Sequence, residues 1–204
     1  MNTDTDVDDW IKQLDHARSS KRRSAAKKLR SACTPVAASA LLAALKKEVS
    51  DPRTWETQYQ LIMAVAACHP TEKVVSYLKT LFELELAPMV HLAAGHAIVQ
   101  ASGGADAEIL AALDSSAPRR AEGAIRSLAV TRVVPSEATI RRIIAFVSEA
   151  RHEQLRFWAA AAAAGWPPAT TRRFLRECLV DPRTDTRQAA EASLQGKYLK
   201  LNPL

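Results

Sequence analysis

Asp181-Pro182-Arg183-Thr184-Asp185-Thr186-Arg187-Gln188-Ala189-Ala190-Glu191-Ala192-Ser193-Leu194 is the stretch on which the fold turns. An aspartate followed by proline is a helix start, because the carboxylate can accept from free N–H groups and proline is tolerated in a first turn. Beyond it Arg187, Ala190 and Leu194 are spaced three and four apart, which places them on one face of a helix. A near-copy lies in the first third of the chain, where Asp51-Pro52-Arg53-Thr54 is followed by Thr57-Gln58. Two copies of one helix-opening phrase in a chain of 204 residues point to internal repetition.

The same spacing recurs between them. A polar anchor, a small or apolar residue three later and an apolar one seven later gives Arg22-Ala25-Leu29, Gln58-Leu61-Val65, His91-Ala94-Ile98, Arg156-Ala159-Ala163 and Arg187-Ala190-Leu194. In the fourth position of the series the anchor falls on Ala121, with Ala124 and Leu128 after it and Arg119 and Arg120 just before. The period is about 33 residues, a length that suits stacked helix pairs. Six such units account for nearly the whole chain.

Prolines divide each unit in two. They stand at 35, 52, 70, 88, 118, 135, 167, 168, 182 and 203, and the commonest gap between them is half of one unit. Gly103-Gly104 and Arg151-His152 divide the two longer gaps. Between breaks the apolar residues keep helical spacing, as in Leu41, Leu42, Leu45 and Val49 or Ile140, Ile143, Ile144 and Val147, and strand-type alternation is absent. Asp51, Thr71, Ser136 and Asp181 are the expected caps.

Residues 181–194 resemble the second helix of a HEAT repeat, and the series as a whole resembles compact bacterial HEAT and phycobilisome-lyase-like repeats. The resemblance implies an all-α fold, a right-handed α-solenoid (alpha-alpha superhelix) of about six helix pairs. It also implies a single domain over 1–204 whose second helices line a concave face. Each pair is too small to bury its own apolar side, so neighbours stack into one core. Small residues let helices approach to roughly 8 Å, which accounts for the run Ala159 to Ala164. In such an array the repeated arginines and aspartates form a ladder of caps and turn contacts. Asp181→Ala is then expected to cost about 1 kcal/mol as a lost cap. Residues 1–8 are polar enough for disorder, while Trp10, Ile11 and Leu14 at one end and Tyr198, Leu199 and Leu201 at the other are expected to cover the terminal repeats.

Composition sets the wider bounds. Hydrophobic residues make up 48% and charged residues 25%, enough for a packed core. No apolar run reaches the roughly 20 residues of a membrane span, and the amino terminus is acidic where a secretory signal would be basic, so a cytoplasmic protein is expected. Cys33, Cys68 and Cys178 are odd in number and scattered in apolar helical patterns, as small core residues would be. A formal charge of +6 favours acidic partners, modestly, because 28 basic residues face 22 acidic ones.

Nothing in the sequence carries catalysis, a metal or a cofactor. His91 and His96 are five apart and turn to different faces of a helix. There is no phosphate-binding glycine loop, no Gly-x-Ser-x-Gly and no Cys-x-x-Cys. The expected function is therefore non-catalytic: a scaffold that binds a protein partner, an acidic surface by preference, on a basic concave face. The residues expected to carry it are Arg23, Lys27, Arg119, Arg120, Arg126, Arg151, Trp158 and Arg183. Trp55, Tyr59 and Trp166 are further aromatic candidates, and Lys21 to Arg30 is the densest basic run. The alternative is nucleic-acid binding, as in the alkylpurine DNA glycosylases, which are similar in fold and charge but share no motif here that would transfer a catalytic residue. A lyase or chaperone for a tetrapyrrole-bearing protein is a third reading, with no pigment site to mark it.

Overall fold

The structure is a computed structural model that describes residues 3–32, 34–68 and 71–201. Cys33 and the breaks expected at Pro70 and Pro203 lie outside the described residues. Twelve α-helices and short 3₁₀ turns, with no strand, make up the secondary structure of the described residues. The all-α architecture expected from the apolar spacing is what the chain adopts. The chain divides into two compact units, Met1–Ser102 and Gly103–Leu204.

In the first unit the helices are α1 (Thr3–Gln13), α2 (Ser19–Ala32), α3 (Pro35–Glu48), α4 (Trp55–Cys68), α5 (Glu72–Thr80) and α6 (Pro88–Ala101). Of the stretch 1–8 that composition marks for disorder, residues 3–8 belong to α1. The second helices pack in sequence, α2 on α4 and α4 on α6, while α1 packs on α2 and α3. Caps appear where the sequence asks for them: Asp51 accepts from the Arg53 N–H at 3.1 Å and Thr71 from the Val74 N–H at 3.4 Å. Helix α4 is buried at every position from Thr57 to Ala66 because α2, α3 and α6 enclose it. Its Leu61 and Ile62 join Leu29, Leu41, Leu45, Leu78 and Ile98 in one continuous core. Truncating any of these leucines to alanine is a loss of about 2–5 kcal/mol.

The second unit repeats the plan with α7 (Asp106–Leu113), α8 (Pro118–Thr131), α9 (Glu137–Ser148), α10 (Arg156–Ala162), α11 (Pro168–Cys178) and α12 (Thr184–Leu194). Helices α8, α10 and α12 form the row of second helices, and α7, α9 and α11 the row of first helices. Ala159 to Ala163 are buried, and Ser193 on α12 donates to the Ala160 carbonyl at 2.6 Å, a close approach that the small side chains permit. Gly104 has φ +78° and an added Cβ would collide with Val133 Cγ1, so both backbone and space require glycine there.

The Tyr198 side chain stands against the turns that end α8 and α10. Its hydroxyl fills the space beside Gly165, and the Arg132 guanidinium stands 4.7 Å from its ring.

Candidate partner-binding site

The repeated anchors are turn clamps. Arg22 Nη1 donates to the His16 and Ala17 carbonyls at 2.7 and 3.0 Å, and Gln58 Nε2 to those of Glu48 and Asp51 at 3.2 and 2.8 Å. His91 Nε2 lies 3.2 Å from both the Leu81 and Leu84 carbonyls, and Arg187 Nη1 donates to Asp181 and Pro182 at 2.7 and 2.9 Å. Each anchor reaches back to the turn that precedes its own helix and satisfies carbonyls that a helix end leaves unpaired. Two anchors step to the next pair: Arg22, besides its own turn, to Glu48, and Arg156 Nη1 to Asp181 Oδ2 at 3.3 Å. Five of the six anchor positions are thus consumed by the fold.

In the second unit three of the expected residues converge. Arg119 from α8, Trp158 from α10 and Arg183 from the turn before α12 line one cleft of about 520 Å³ with Glu122, His152, Gln154 and Leu155. Two of its cations are neutralised locally. Arg119 pairs with Glu122, and Arg183 with Asp185 at 2.6 Å while donating to the Gln154 carbonyl at 2.8 Å. Arg126 is different. It lies two turns along α8 from Arg119, is only 6% exposed, and holds its guanidinium 4.9 Å from the Trp158 ring centre. Among the described residues it has no carboxylate partner and makes no side-chain hydrogen bond. Phe157 meets the Trp158 ring edge-on at 4.8 Å and limits its movement.

Arg151 lines the adjoining cleft with Phe146, Glu149 and Arg142, and is paired with Glu149 at 2.8 Å. His152 borders both clefts, its ring stacked on Phe146 at 3.9 Å. Burial, aided by the charge of Arg151, holds this imidazole below its ordinary titration range. Arg120 stands outside the lining of both clefts and is engaged elsewhere.

Arg23 and Lys27 belong to α2 of the first unit, where Arg23 is ion-paired with Glu56 and Lys27 is exposed. Among the other aromatics, Tyr59 and Trp166 are core residues, 5% and 3% exposed, and Trp55 is on the surface. Sequence reasoning missed Gln154, which carries no distinguishing signal, and Glu122, whose place three residues after Arg119 is the pairing distance on a helix.

No protein-family model and no curated protein matches the chain. Among solved structures a designed armadillo repeat protein is similar, with a TM-score of 0.42 at 16% identity over 92% of this chain and 98% of that one. No cluster of three metal-ligating side chains occurs among the described residues, and no helix of theirs is long and apolar enough to cross a membrane.

Proposed function

We propose that the chain is a HEAT-type, non-catalytic protein-binding module of the cytoplasm, which grips an acidic partner on the second helices of its second unit, centred on Trp158. The observation that carries this reading is the Arg126–Trp158 pair. A guanidinium withdrawn from water without a carboxylate loses solvation that nothing in the unit fully restores. The ring offsets part of that, about 1–2 kcal/mol for a desolvated pair. A carboxylate brought by a partner would supply the rest. Arginine and tryptophan are also the residue types that dominate binding energy at protein interfaces, where a few desolvated anchors outweigh the surrounding contacts. Arg119, Arg151 and Arg183 form the polar rim, already balanced by acids, so this face is poorly suited to a phosphate chain, which needs cations free to exchange for counterions.

The test is site-specific photocrosslinking in the native host, with the probe at exposed Gln154 in the cleft or at exposed Arg173 on α11. Support is a species captured from position 154, absent from position 173, and lost when Trp158→Ala or Arg126→Gln is added to a variant that keeps its helical circular dichroism. Capture that both substitutions leave intact, or the same species from both positions, overturns the reading.

A further inference from the structure

Helix α2 presents a surface unlike that of the cleft. From Arg18 to Ala32 the chain holds seven basic residues and no acidic one. Within α2 the exposed positions are Ser20, Lys21, Ser24, Lys27, Lys28, Ser31 and Ala32, with no large apolar or aromatic side chain among them. At 100° per residue, Ser20, Ser24 and Ser31 fall in a narrow ridge, about 40° wide, on the exposed arc. Lys27, Arg23 and Arg30 lie along one side of that ridge and Lys21 and Lys28 along the other.

Several of these charges already have work. Arg22 is bound to Glu48, Arg23 to Glu56, and Lys28 stands 5.6 Å from the Trp10 ring centre. Arg18, Lys21, Lys27 and Arg30 have no carboxylate partner among the described residues. Arg30 is half-buried as well, and loss of solvent lowers its pKa, which marks a cation kept partly dry without an acid to balance it.

We infer that α2 is a second, separate binding surface, one that takes the phosphate backbone of a nucleic acid along its serine ridge. Protein interfaces are depleted in lysine and serine and rely on apolar or aromatic anchors, none of which α2 exposes. Phosphate oxygens are held by the side chains α2 does expose, lysine and arginine as counter-charges and serine hydroxyls as donors. Small residues in the ridge let a sugar–phosphate strand approach the helix while cations flank it on both sides. The surface lacks the base-stacking and base-edge groups that read sequence, so recognition is of the backbone.

The experiment is fluorescence anisotropy with labelled oligodeoxythymidine, oligouridine and a mixed-sequence DNA duplex, titrated with the full chain from low to physiological salt. Four phosphate contacts on a single strand predict a slope of log K on log salt of about −3. Replacing Lys21→Gln with Lys27→Gln, both exposed, should weaken binding at least about tenfold and flatten the slope by about 1.4. Lys197→Gln with Lys200→Gln removes the same charge from exposed positions in the other unit and should leave affinity and slope unchanged. Which probe binds best identifies the source of the phosphate. Absence of binding at low salt, or equal losses in the two double variants, overturns the assignment. So does tighter α2-dependent binding of polyglutamate, or of phosphatidylserine vesicles, than of any nucleic acid.

Discussion

Arg22 forks onto Glu48, with Nε 2.7 Å from Oε2 and Nη2 2.7 Å from Oε1. The two residues sit on different helix pairs, α2 and the end of α3, and Glu48 is 6% exposed. The hydrogen bonds that Arg22 donates to Glu48 raise the Arg22 pKa, so the guanidinium stays charged through any physiological condition. Removing one member strands the other where water is scarce. Arg22→Met should cost about 3 kcal/mol, and adding Glu48→Leu should recover most of it. Urea denaturation of the two single variants and the double variant measures the coupling; strictly additive losses would mean that the pair is not a unit.

Asp181 carries more than a helix cap. It accepts from the Arg183 N–H at 3.0 Å and also holds Arg156 from the preceding pair, at 5% exposure. Where the cap alone would make Asp181→Ala cost about 1 kcal/mol, loss of the Arg156 partner raises the expectation to about 3 kcal/mol. Thermal unfolding of Asp181→Ala beside Asp51→Ala separates the two contributions. Asp51 hydrogen-bonds within its own turn and to Arg53, so its loss should stay near the cap value.

Acid should loosen the turns before α4 and α12. Hydrogen bonds from Arg53 lower the Asp51 pKa, while at Asp185 burial pushes upward and is outweighed by bonds from Arg183 and the Thr186 N–H. A carboxylate whose folded pKa is depressed contributes stability above its unfolded value, near 3.9, and loses it as pH falls through the folded one. Stability should therefore decline below about pH 4. Asp185→Asn should make that decline shallower, as measured by urea midpoints at several pH values.

Burial pushes the Cys178 thiol up to about 11, and its sulfur accepts from Arg156 at 3.8 Å. Cys68 is buried too, its thiol donating to the Leu29 carbonyl. Thiolate is the reactive form, so neither should alkylate at neutral pH in the folded protein. Peptide-resolved mass spectrometry after iodoacetamide should find both unmodified until denaturant is added.

An added Cβ at Gly165 would collide with the Tyr198 hydroxyl oxygen. Gly165→Ala should cost about 1–3 kcal/mol by displacing the tail. Tyr198→Phe in the same chain should restore part of the loss, because the atom in closest conflict is gone. Melting temperatures of the single and double variants provide the check.

The helical plan was legible because it rests on local chemistry. A polar residue followed at three and seven by small or apolar ones marks five of the six second helices, and the structure turns that spacing into clamps at Arg22, Gln58, His91 and Arg187. Thr71 and Ser136 cap where their position before a helix predicts. The pairing of basic residues was less visible. Arg119 with Glu122 and Arg183 with Asp185 are short-range and could be read from spacing, but Glu48 lies 26 residues from Arg22 and its role depends on how two pairs stack. Arg126 and Trp158 each stand out in the sequence, yet their contact joins two different repeats and exists only because α8 packs on α10.

The seat of Tyr198 bears on how the chain is made. Its ring lies under Arg132, which ends α8, and its hydroxyl fits the gap at Gly165, which ends the turn after α10. Both receiving turns are synthesised well before the tyrosine, and folding during synthesis proceeds from the amino-terminal side. The earlier helices of the second unit can stack during synthesis, but this fastening closes only after the tyrosine itself emerges.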